Sequence, residues 1–241
     1  MKILAIGNSF SEDATRYIQN VAKSAGEDLY VRNCFIGGCS LEMHVRNIES
    51  GEEAYAYQNN SVKERMISIT DALCAEDWDY VTIQQVSGYS GILESYEPYM
   101  GMLVDHIKQY AKRAEIVFHR TWAYEIDSCH SDFPKYNKDQ NEMYEKICSA
   151  SEKATERYSM RIIKCGDAVQ EARKLQPFDY KNGGLSLCRD GFHMTGTYGR
   201  YLLALVWFRF FTGKSAHIVT YAPEGTDNDL IEMLRDCADK F

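Results

Sequence analysis

The chain has 241 residues, 45% of them hydrophobic and 26% charged, with a formal net charge of −8 at pH 7. That length supports a full core in one large domain or two small ones, without staples. The acidic balance excludes nucleic acid and anionic membranes as main partners. No run approaches the ~18 apolar residues of a membrane span, and Met1 is followed by no signal-peptide core, so a cytoplasmic protein is expected. The eight cysteines form no CxxC pair and show no zinc spacing, which reads as buried thiols of a reducing compartment and predicts no metal site.

Taken in chain order, strand-like and helix-like runs alternate. Residues 2–6 are a short apolar strand. Residues 12–25 carry Ala14, Tyr17, Ile18, Val21, Ala22 and Ala25 at helical spacing, with Ser11 as N-cap and Gly26 at the C-terminus. Residues 29–35 alternate like a strand and end in Gly37-Gly38. A helix is predicted over 61–75, a strand over 79–85, a helix over 97–113, a strand over 115–119, a helix over 139–158, a strand over 161–165 and a helix over 167–175. An apolar helix at 195–212 and a last one at 227–239 follow. No Pro/Gly/Ser-rich linker divides the chain, so 1–241 is expected to be one domain. Five βα units joined by short connections predict an α/β fold with a five-stranded parallel sheet wound on both faces. The site is expected on loops at the strand C-termini, including the long irregular stretches 120–138 and 176–192.

Two segments carry chemistry. In Gly7-Asn8-Ser9-Phe10-Ser11, Ser9 stands at the first strand-to-helix junction, where it is either turn chemistry or a nucleophile beside free helix N–H groups. In Asp190-Gly191-Phe192-His193, a carboxylate and an imidazole three residues apart can form the orienting and basic half of a serine hydrolase site. Alone, that pair reads equally as a helix cap beside a surface histidine.

GNSFS near the N-terminus together with DGFH near the C-terminus resembles the SGNH/GDSL hydrolases, and the resemblance spans 1–199. It implies a three-layer flavodoxin-like fold with strand order 2-1-3-4-5. It also implies Ser9 as nucleophile, Asp190 and His193 as its partners, and an oxyanion hole formed by the N–H groups of Ser9 and Gly38. The residue between Gly and Ser is Asn8 rather than the usual Asp, and the usual GxND is absent. The third strand instead ends Ile83-Gln84-Gln85, as in carbohydrate O-acetylesterases that use a Gln donor. GNSFS, IQQ and DGFH together look closest to a poorly characterised bacterial branch of the superfamily. The implied activity is hydrolysis of small acyl esters, acetyl above all, on a carbohydrate, through an acyl-enzyme and with no cofactor.

Several assignments stay open at this level. Gly37 competes with Gly38. Gln85 shares the face of Val81 and Ile83 and is the expected donor, with Gln84 as the alternative. His44, Trp122 and Tyr124 are candidate pocket residues, with helix surface or core as the plain alternative. His119 ends a strand near the site; His106 and His217 read as structural. Two rival functions are a phosphate- or nucleotide-binding module, which lacks GxGxxG and GxxxxGK[ST], and a catalytically silent fold that binds glycans or a protein partner. Composition does not indicate an oligomeric state.

Overall fold

The computed structural model describes all 241 residues. The run Lys2–Gly7 forms β1, the middle of the sheet. It pairs in parallel with β2 (Tyr30–Phe35) on one side and β5 (Tyr80–Ile83) on the other. Beyond β5 lie β6 (Glu115–His119) and the two-residue β7 (Ile162–Ile163), both parallel. These are the five predicted strands, in the predicted order.

The sheet is nevertheless seven-stranded and mixed, with order β4-β3-β2-β1-β5-β6-β7. Beyond β2, an antiparallel hairpin of β3 (Tyr55–Asn59) and β4 (Val62–Ile67) extends it. The helix expected over 61–75 is therefore corrected to a strand followed by the short α4 (Ile69–Cys74). The connecting residues Asn60 and Ser61 have φ of 48° and 64°, the double positive φ of a tight hairpin turn. β4 is exposed from Val62 through Met66, so Lys63, Glu64 and Arg65 give the open edge the charge that discourages edge-to-edge pairing.

β1 alternates between two cores, because side chains along a strand point to opposite faces. Ile3 and Ala5 pack with α1 (Ser9–Thr15), α2 (Ile18–Ser24), α7 (Cys165–Ala172), α8 (Tyr198–Thr212) and α9 (Asn228–Ala238). Leu4 and Ile6 pack with α3 (Leu41–Ser50), α4 and α5 (Tyr99–Tyr110), together with Ala150 and Ala154 of α6 (Gln140–Glu156). The result is three layers. Helix α8 buries ten of its fifteen residues, as an apolar helix covered on all sides must.

The predicted helix 12–25 is two helices, broken at Arg16 and Tyr17. Its cap is Asn8, whose Oδ1 accepts the Phe10 N–H at 3.0 Å. Ser11 lies inside α1, with its hydroxyl oxygen 2.8 Å from both the Asn8 carbonyl and Asn33 Oδ1. Helix α3, capped by Ser40, was not predicted. Only Leu41, His44 and Val45 of it are buried, too few to print a helical period on the sequence.

Candidate active site

Because Asn8 caps α1, Ser9 is its first residue, at the C-terminal end of β1. A first-turn backbone N–H has no partner within the helix and lies at the positive end of the helix dipole. The Ser9 hydroxyl is 2.9 Å from His193 Nε2, and His193 Nδ1 is 2.7 Å from Asp190 Oδ2. The other Asp190 oxygen accepts the His193 and Phe192 backbone N–H groups at 2.8 and 3.2 Å. Burial opposes ionisation of Asp190. The bonds from the His193 side chain and backbone outweigh it and hold the carboxyl below its ordinary pKa. An ionised Asp190 places the imidazole proton on Nδ1, which leaves Nε2 free to accept from the serine.

Irregular chain carries the Asp190–His193 segment, and buried groups fix it. Cys188 and Met194 bridge antiparallel, and Arg189 N–H donates to the His193 carbonyl at 2.8 Å. Gly191 has φ of 85°, and a Cβ there would lie 3.0 Å from Ser128 Cα, so both conformation and space require glycine. Asp13 of α1, fully buried, accepts the Met194 N–H and Arg200 Nε at 2.7 Å each and Arg189 Nη1 at 3.1 Å. Trp122 stacks on Phe10 with centroids 4.1 Å apart and donates from Nε1 to the Phe192 carbonyl at 2.7 Å. It is fully buried, so it is a wall behind the histidine loop rather than a pocket surface.

The Gly37-Gly38 turn is exposed, and Gly38, not Gly37, has the positive φ of 65°. Asn8 Nδ2 donates to the Cys39 carbonyl at 2.9 Å, which ties this turn to the residue before Ser9. The departure from the usual GDS motif therefore has a structural use, since an aspartate has no N–H to give.

The glutamines differ from expectation. Both amide hydrogens of Gln85 go to Ser95, to its carbonyl at 2.9 Å and its Oγ at 3.1 Å, while Oε1 accepts from Leu41 and Val86 N–H. Sharing the face of Val81 and Ile83 takes Gln85 into the α3/α5 layer rather than toward Ser9. Gln84 spans Asn8 Oδ1 and His119 Nδ1 at 2.8 and 2.9 Å and is 1% exposed. It supports the nucleophile turn from beneath.

His44 is also corrected. It is fully buried under the glycine turn, 2.8 Å from Tyr55 Oη and 3.4 Å from Cys39 Sγ, and lines no pocket. Burial lowers the pKa values of His44 and His119 to about 3, so both are neutral. Tyr124 is buried, with its hydroxyl 2.9 Å from Ser87 Oγ and 3.5 Å from His130 Nε2. Sequence reasoning missed His130, Asp13 and Ser87. Asp13 did leave a signal: a carboxylate one residue before Ala14 in the apolar stripe of its helix. A surface cavity of about 490 Å³ lies at the opposite end of the sheet around Met1, Trp78, Tyr80 and Arg113, away from Ser9.

No helix is long and apolar enough to cross a membrane. A search of curated proteins found no match. Among solved structures, the chain is similar to an acetylxylan esterase from Geobacillus stearothermophilus, with 15% identity, 88% of this chain and 94% of the other covered, and a TM-score of 0.58. It is also similar to a protein from Slackia heliotrinireducens assigned to the SGNH hydrolases, with 20% identity, 88% and 98% covered, and a TM-score of 0.57. At those identities the likeness is one of fold, and the fold is that of the SGNH/GDSL hydrolases. Much nearer is a DUF4886 family protein from Bacteroides uniformis, with 36% identity, 100% of this chain and 93% of the other covered, and a TM-score of 0.92. The family described as Domain of unknown function (DUF4886) matches residues 2–240, and the chain belongs to that family.

Proposed function

We propose that the protein is a serine esterase that removes small acyl groups, acetyl above all, from a polyhydroxylated alcohol such as a sugar. The observation that carries this reading is the unbroken chain Ser9 Oγ–His193 Nε2–His193 Nδ1–Asp190 Oδ2 at 2.9 and 2.7 Å. His193 removes the Ser9 proton as Oγ attacks the ester carbonyl. The Ser9 and Gly38 N–H groups receive the oxyanion, and His193 then protonates the departing alkoxide. Water repeats the sequence on the acyl-enzyme. Asp190 holds the imidazole tautomer and stabilises its cation. Each step uses groups of this chain.

A small acyl group on a hydroxylated partner is supported by the polar loops 86–96 and 120–138 around the site, and by the fold shared with an acetylxylan esterase. The test is p-nitrophenyl ester hydrolysis. Ser9→Ala should abolish turnover with the fold intact, and Asp190→Asn should cost about 10⁴ in kcat, as in serine-protease triads. Acetate should be preferred over octanoate. Full activity in Ser9→Ala rejects the esterase reading, and activity rising toward octanoate rejects the small acyl group.

A further inference from the structure

We propose that Ser87, Tyr124 and His130 form a hydroxyl-recognising subsite for the alcohol half of the ester, in which Ser87 is the hydrogen-bond donor to the substrate. The proposal rests on the esterase reading and adds to it the residues that select the alcohol.

The first argument is position. A general acid must touch the oxygen it protonates, so the leaving alcohol lies on the His193 side of Ser9. The glycine turn of the oxyanion site follows β2, on one flank of β1. Ser87, Tyr124 and His130 follow β5 and β6, on the other flank. The Phe192 ring links them to the base: its centroid is 4.2 Å from that of His193, 4.7 Å from His130 and 5.8 Å from Tyr124. Phe192 is half-buried, which leaves apolar ring surface for the C–H face of a sugar.

The second argument is proton order. His130 Nδ1 accepts the Asp132 backbone N–H at 3.1 Å, so the proton of the neutral ring is on Nε2. Burial lowers the His130 pKa. Lys135 acts in the same sense and the charges of Asp132 and Asp190 oppose it, but burial prevails, so the ring is neutral at pH 7. Nε2–H points at Tyr124 Oη, 3.5 Å away. Tyr124 is fully buried, and its own O–H needs an acceptor. With His130 presenting a donor, that acceptor is Ser87 Oγ at 2.9 Å. The order runs from His130 to Tyr124 to Ser87, and the Ser87 hydrogen is the one left unassigned. Ser87 is 6% exposed, so the hydroxyl is held rather than free to turn in water. A fixed donor beside an aromatic ring suits a hydroxyl or ring oxygen of a polyol, and a p-nitrophenyl leaving group has neither a sugar hydroxyl nor a ring oxygen to offer it.

The experiment compares kcat/KM for a monoacetylated methyl xylopyranoside with that for p-nitrophenyl acetate in the wild type, Ser87→Ala and Tyr124→Phe. The ratio should fall about tenfold in Ser87→Ala, the effect of losing one fixed hydrogen bond to substrate. It should fall by a smaller factor in Tyr124→Phe, which keeps the ring and releases the serine. A ratio unchanged within twofold in both variants overturns the subsite, whether both activities drop together or neither does. A wild type inactive on both esters instead removes the esterase reading, and the subsite with it.

Discussion

The two halves of the candidate site are held in place by different physics. On the nucleophile side, a strand runs into a helix, and Ser9 is positioned by neutral hydrogen bonds: Asn8 to Phe10, to Cys39 and to Gln84, and Gln84 to His119. On the base side the chain is irregular, and buried charge holds it: Asp13 with Arg200 and Arg189, and Glu125 with Arg173 at 3.1 Å. A regular junction satisfies its backbone groups by itself, so amides suffice as trim. A loop that leaves backbone N–H groups such as that of Met194 unpaired needs a buried acceptor, and a carboxylate in that role needs cations beside it.

The comparison breaks most visibly at Asp13. Asp13→Asn leaves two arginines without their carboxylate and weakens the acceptor for Met194 N–H. Both arginines keep some contact with solvent, so the expected loss lies at the low end for a broken buried pair, about 3 kcal/mol. Urea unfolding measures it, and a loss under ~1 kcal/mol would mean that charge does not hold this half. On the other side, Asn8→Ala removes a helix cap and the bond to Cys39, together about 2 kcal/mol. Asn8→Asp keeps the cap acceptor but sets an oxygen against the Cys39 carbonyl. It should cost activity more than stability, and esterase rates beside melting curves separate the two.

A third effect comes from pH. His44 and His119 titrate near 3 in the folded chain, against an ordinary value of 6.5. The unfolded chain takes up these protons first, so their contribution to stability is complete above pH 6.5 and declines as pH falls from there toward 3. Each contributes a slope of about 1.4 kcal/mol per pH unit. His119→Gln should remove one such increment from the slope measured between pH 6 and 4; an unaltered slope would show that His119 is not kept neutral.

What the sequence made legible follows the same division. Strands with continuous apolar runs, such as Ile3-Leu4-Ala5-Ile6, and the apolar helix α8 announce themselves because burial on all sides leaves no ambiguity. The β3–β4 hairpin stayed hidden because the exposed face of β4 is charged and continues into a true helix at Ile69. Ser9, Asp190 and His193 were legible from motif order, and the structure brings the three together. Gln85 was placed on the right face of its strand, but that face leads into the α3/α5 layer. Ser87 and His130 left no trace, since they lie 37 and 6 residues from their shared partner Tyr124 and no period connects them.

The central claim, that Ser9 is an activated nucleophile, is tested most directly by covalent labelling. The protein is treated with a fluorophosphonate at pH 7, and the modified residue is mapped by peptide mass spectrometry. The account predicts one phosphonylated residue, Ser9, and labelling slowed by orders of magnitude in His193→Gln. Label on another serine, or equal labelling of Ser9 in His193→Gln, would contradict it.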